Sequence, residues 1–232
     1  MIRTRRAAFA AAAVVAAACL AALGVWQLER RAWKHELIAA VDARTHAASV
    51  AAPGPASWPE ISAGKDAYRR VNAVGSFDHD RETLVQAVTG LGAGYWVLTP
   101  LETKDFTVLV NRGFVPADKR DPSSRTPYTG TAAVTGLLRV TEPDGAFLRS
   151  NDIAAGRWYS RDVIAIAKAR RLGKVAPYFI DADNSPNPGG YPVGGLTVVQ
   201  FNDNHMVYAL TWFGLCALSL FFAWRLWHMR EE

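Results

Sequence analysis

The amino-acid sequence predicts a membrane protein with two transmembrane α-helices flanking a β-dominated α+β extracytoplasmic domain. Two observations carry this: a long uncharged apolar run near each end of the chain, and a polar middle of short segments rich in branched and aromatic residues. A third agrees with them. Several of the eight tryptophans stand at or near the ends of the apolar runs, where amphipathic rings favour the headgroup layer.

The first run, from Ala7 to Leu28, carries no charge and as a helix would be roughly 33 Å long, enough to cross a hydrocarbon core. Arg3, Arg5 and Arg6 ahead of it also resemble the basic start of a cleaved signal peptide. The run outlasts a signal peptide's apolar region, continuing through Leu23, Val25, Trp26 and Leu28, so an uncleaved anchor is expected. The second run begins after His205 and continues from Met206 to Leu226 with no charge before Arg225. Basic residues set the orientation. Arg3, Arg5, Arg6, Arg225 and Arg230 outweigh Arg30, Arg31 and Lys34, which places both termini in the cytoplasm. The expected organisation is a cytoplasmic start over residues 1–6, a first span over 7–28, an extracytoplasmic domain over 29–204, a second span over 205–226 and a cytoplasmic end over 227–232.

Within the domain, Trp33, Leu37, Ile38 and Val41 recur at helical spacing, so the first helix is expected to continue past the bilayer as an amphipathic stem over Glu29 to Arg44. Ala47 to Ala63 holds Pro53, Gly54, Pro55 and Pro59 and reads as loop. Strands are expected at Tyr68–Phe77, Glu82–Val88, Gly94–Leu101, Thr107–Asn111, Thr131–Val140 and Tyr178–Asp181, with a helix at Asp162–Arg171. Asn184 to Gly195 is too rich in Pro and Gly for a regular element, and the sheet is expected to be mostly antiparallel.

Composition closes several functional classes. The only cysteines, Cys19 and Cys216, fall inside the apolar runs, so the domain has no disulfide framework or cysteine metal site. Near the midplane they allow helix contact through Ala18, Ala21, Ala22, Gly214 and Ala217, although two small buried thiols with no function are the commoner case. The net charge of +5 is not gathered into an aromatic-interleaved patch, which argues against nucleic acid as a partner. HExxH, GxSxG, P-loop and dinucleotide glycine patterns are absent, and no enzyme is expected.

Two residues stand out. His205 opens the second apolar run with Tyr208, Ala209 and Trp212 following on roughly one helical face. An imidazole there suits iron ligation beside an aromatic wall for a porphyrin, although an ordinary interfacial histidine beside interfacial aromatics is the commoner composition at a helix end. Arg112, in Asn111-Arg112-Gly113-Phe114-Val115-Pro116, follows an alternating strand and precedes a glycine turn. Its guanidinium is placed for a carboxylate, whether a heme propionate or a partner's acidic side chain, or for nearby carbonyls.

The ordered segments GVWQLERRAWK (24–34), YRRVNAVGSFD (68–78), GYWVLTPL (94–101), VLVNRGFVP (108–116), GLLR (136–139), ND (151–152), WYSRD (158–162) and NDNHMVYALTWFGLCAL (202–218) resemble the SURF1 family of cytochrome c oxidase assembly proteins. The resemblance covers nearly the whole chain from Gly24 onward. It implies a non-catalytic assembly factor for an aa3-type oxidase that binds heme a and assists its delivery to the catalytic subunit. The alternative is a scaffold that stabilises assembly intermediates without touching heme. The family's H-x-x-Y-A-x-x-W motif maps onto His205, the implied iron ligand, with Tyr208, Ala209 and Trp212, and its Gly-Trp-Gln onto Gly24, Trp26 and Gln27. Trp26 and Arg112 join Tyr208 and Trp212 as expected heme contacts. The implied partners are the oxidase catalytic subunit, the heme a synthesis enzyme, other assembly factors and the lipid bilayer. Where many family members place asparagines or an arginine before the histidine, this chain has Asp203, a residue suited to orienting an imidazole or to solvating the helix entry. High Ala, Arg and Gly usage suggests a bacterial member in a bacterial inner membrane with a periplasmic domain.

Overall fold

A computed structural model describes residues 2–143, 145, 149–199 and 203–228, and Asn202 and Arg230 of the motifs above lie outside these. The chain divides into two compact units, residues 1–40 with 199–232, and residues 41–198.

The first unit is built on two helices, each long and apolar enough to cross a membrane. Helix α1 runs Ile2–His46 without a break. At 1.5 Å per residue that is roughly 67 Å, about twice a hydrocarbon core, so the stem expected after Leu28 does continue the span. The last helix, α4, covers His205–His228. Most of their surface is exposed and apolar, as a lipid-facing helix requires. Within the apolar runs the buried residues are small and spaced by seven, Ala10, Ala17 and Gly24 on α1 and Ala209 and Ala223 on α4 with half-buried Cys216 between them, while Gln27 and Val41 are buried farther along α1. The helix contact that Cys19 would allow is not made there. Cys19, Ala18, Ala22, Gly214 and Ala217 are exposed, because a seam recurring every 3.5 residues passes through one face of each helix only. At Gly24 a Cβ would meet the Phe213 ring at 2.6 Å, so glycine is what lets that ring lie against the α1 backbone.

The second unit is a seven-stranded sheet in the order β1-β2-β6-β7-β5-β4-β3 with an added β2–β4 pairing. The strands are β1 Val50–Ala51, β2 Arg70–Phe77, β3 Thr83–Thr89, β4 Gly92–Glu102, β5 Thr107–Pro116, β6 Thr131–Val140 and β7 Val175–Ala182. The β2–β4 contact, Ser76 with Glu102 and Phe77 with Leu101, closes β2, β6, β7, β5 and β4 into a five-stranded barrel. Strand β3 extends the sheet from the far half of β4, and β1 pairs parallel with β2. Most pairings are antiparallel, as expected, while β5–β7 is parallel.

Alternation along the strands sorts side chains between two cores. Val71, Leu101, Val108, Val110, Val134, Leu138, Tyr178 and Ile180 fill the barrel. Leu109 and Phe179, one residue out of phase, pack outside it with Leu98, Trp158 and Ile166. Ile166 belongs to α3, Val163–Ala169, whose start Asp162 caps by accepting the Ala165 N–H at 3.0 Å. The short α2, Ala63–Asp66, has the same device: Ser62 Oγ accepts from Lys65 N while Asp66 Oδ2 accepts from Ser62 N.

One element differs from expectation in a way that bears on the site. Strand β5 was expected to end at Asn111 before a glycine turn, yet it continues to Pro116. Trp96 pairs with Phe114 and Leu98 with Asn111, so Arg112 and Gly113 together oppose Val97 in a β-bulge. Gly113 takes φ +130°, and a Cβ there would strike the Val193 carbonyl. The glycine serves a bulge within a continuing strand, a use that sequence cannot tell from a turn.

Candidate functional site

In the first unit, His205 stands at the N-terminus of α4, partly buried. Its Nδ1 lies 2.7 Å from Gln27 Oε1. An amide oxygen only accepts, so Nδ1 carries the proton and donates it to Gln27. In the neutral tautomer that this contact favours, Nε2 keeps its lone pair, and it has no hydrogen-bond partner among the described residues. Gln27 is itself buried, where the apolar run of α1 ends. A ring nitrogen left open while its opposite N–H is anchored on an oxygen is the arrangement by which proteins orient a metal-ligating histidine.

Asp203 supports this corner without touching the imidazole. Its Oδ1 accepts from the His205 backbone N–H at 3.2 Å, and its Oδ2 meets His35 Nε2 at 2.7 Å and Arg31 Nε at 3.5 Å. The carboxylate therefore caps α4 and ties it to the stem of α1. Tyr208 and Trp212 follow His205 at i+3 and i+7, the tyrosine exposed and the tryptophan half-buried, and Trp26 beside Gln27 is exposed. No ring-to-ring contact joins these three among the described residues. Tyr208 and Trp212 share a helical face with His205 by their spacing, and Trp26 adjoins Gln27 in sequence. Gln27, His35 and Arg31 were not assigned roles from sequence. Gln27 lay within a recognised motif, whereas nothing local marked His35.

The second unit holds Arg112, only 3% exposed. It shares a face of β5 with Val108 and Val110 and emerges at one end of the barrel. Its Nη2 donates to Asn187 Oδ1 at 2.8 Å, its Nη1 approaches His79 Nδ1 at 3.4 Å, and its guanidinium carbon lies 4.9 Å from the Phe77 ring centroid. Among the described residues no carboxylate lies within hydrogen-bond distance of it. Burial lowers its pKa to about 10, the nearby Glu82 opposing this and Arg125 adding to it. The cavities that Arg112 lines measure about 60 and 50 Å³, too small for a porphyrin.

Among the described residues no group of three or more His, Cys, Asp or Glu is placed to hold a metal ion.

A family model described as the SURF1 family matches residues 14–217. The chain belongs to the SURF1 family. Surfeit locus protein 1 of Rattus norvegicus is 39% identical over 223 residues, covering 88% of this chain and 70% of the relative. The Homo sapiens protein of the same name is 37% identical, covering 85% and 70%. A SURF1-like protein of Monosiga brevicollis is 34% identical, covering 85% and 79%. As a SURF1-family member the chain is a cytochrome oxidase assembly factor and not a catalyst. These relatives are eukaryotic, as are those from mouse, pufferfish, frog, chicken and nematode. They overturn the bacterial assignment, and the placement in a bacterial inner membrane with a periplasmic domain falls with it. Composition misled because much of the alanine belongs to a membrane helix, where small residues form the seam and favour helix whatever the lineage.

Proposed function

We propose that this SURF1-family protein holds heme a during oxidase assembly and assists its delivery to the catalytic subunit, with His205 Nε2 as the iron ligand. The Gln27–His205 hydrogen bond supports the reading, since it leaves an imidazole with the correct nitrogen open and the ring's rotation restrained. Tyr208, Trp212 and Trp26 would supply apolar faces beside the macrocycle. One neutral imidazole donor binds iron firmly enough to hold the cargo and weakly enough to give it up. Arg112 belongs to the other unit, and the reading does not rest on it. The oxidase catalytic subunit is the expected recipient, and a heme a synthesis enzyme the expected source.

The test is coexpression of the full chain with heme a synthesis enzymes, purification in detergent, and heme extraction beside His205→Ala. Wild type should carry heme a near one per chain and the variant should lose most of it. Heme-free, folded wild type would replace the carrier reading with a scaffold that supports assembly intermediates without binding heme.

A further inference from the structure

The barrel end around Arg112 contains more positive charge than the protein balances there. Beside Arg112 lies Arg125, whose side chain is 5% exposed and whose guanidinium grips Glu82 with Nη2 at 2.6 Å and Nη1 at 3.2 Å. Both Glu82 oxygens are thereby engaged, and Arg125 alone neutralises that carboxylate. Arg112 remains as a buried cation whose own hydrogen-bond partners among the described residues carry no carboxylate, with Glu82 nearby but held by Arg125. Asn187 offers an amide oxygen, and His79 donates Nε2–H to the Tyr128 carbonyl at 2.9 Å, turning the Nδ1 lone pair toward Arg112. Burying an unpaired charge costs several kcal/mol, so proteins normally pair it.

A second observation points to a ligand. Arg112 Nε and Arg125 Nε are both buried N–H donors with no acceptor within reach. Both arginines line one cavity of about 50 Å³, bordered also by Glu82, His79, Thr126 and Tyr191. That volume is several times what one water needs and suits the three heavy atoms of a carboxylate head. Two guanidiniums against one carboxylate leave a single positive charge, which a monoanion balances and a phosphate dianion would exceed.

We propose that this cavity binds one carboxylate group, between Arg112 and Arg125 at the end of the barrel. The two orphaned Nε–H groups are its donors. The site is independent of His205.

The full chain in detergent, with ¹⁵N-labelled arginine, is titrated with sodium acetate against sodium chloride at constant ionic strength, and separately with inorganic phosphate. The Nε–H resonances of Arg112 and Arg125, assigned from Arg112→Gln and Arg125→Lys, should move saturably with acetate and not with chloride. In Arg112→Gln the response read at Arg125 should weaken by about tenfold or more, as losing a charge-assisted pair implies. Resonances that ignore acetate, a site answering phosphate alone, or an Arg112→Gln chain responding like wild type would each overturn the proposal. If that variant does not fold, the wild-type titration decides by itself.

Discussion

Asp181 shows how much of the domain rests on single polar groups. Only 2% exposed, it accepts from Asn111 Nδ2 at 2.8 Å, Arg139 Nη1 at 2.8 Å, Thr197 Oγ1 at 3.0 Å and Arg161 Nη1 at 3.2 Å. Asp181→Asn would leave two guanidiniums to Glu142 alone, and we expect a loss of about 3 kcal/mol in denaturant unfolding of the domain. Tyr178 makes a pH prediction. Burial pushes its phenol above the usual tyrosine range, and its hydroxyl donates to the Pro53 carbonyl at 2.8 Å. The folded state thus keeps a proton that the unfolded chain releases above about pH 10, so this stabilisation is complete below that pH and declines as pH rises further. Tyr178→Phe should flatten the alkaline limb of a stability-against-pH curve; an unchanged limb would show that Tyr178 does not set it. His205 and Arg112 were legible in the sequence because each sits in a short run with a distinctive local pattern. Gln27, Glu82, Arg125 and Asn187 were not, since their roles depend on partners 178, 43 and 75 positions away.

At the scale of elements, the strands could be read because alternation of branched residues is a local signal, and their observed ranges differ from expectation mainly at the ends. The continuation of β5 could not be read. Asn-Arg-Gly looks like a turn until Val193 is known to lie against Gly113, and the parallel β5–β7 pairing is equally non-local. Gly113→Ala would add a side chain at φ +130° against a backbone carbonyl, with an expected loss of about 3 kcal/mol or more and a lower melting midpoint. Gly24 is the corresponding point on α1. Gly24→Val should displace the Phe213 ring and weaken the meeting of Gln27 with His205. Its signature is reduced heme occupancy with the melting midpoint of the 41–198 unit unchanged; full occupancy would show that the contact does not hold the histidine.

For the whole molecule, the two apolar helices and the β domain divide the work into units with separate candidate chemistry: an oriented imidazole in one and a buried guanidinium pair in the other. Family membership makes the chain an oxidase assembly factor, and the proposed heme-carrier role rests on the Gln27–His205 pair. The most direct measurement of this claim is the resonance Raman spectrum of the ferrous, heme-loaded full chain, compared in wild type, His205→Ala and Gln27→Ala. An iron–histidine stretching band should appear in wild type, vanish in His205→Ala, and move to lower frequency in Gln27→Ala as the imidazole loses its acceptor. A band that survives His205→Ala, or no such band in wild type, would contradict the assignment of His205 as the ligand.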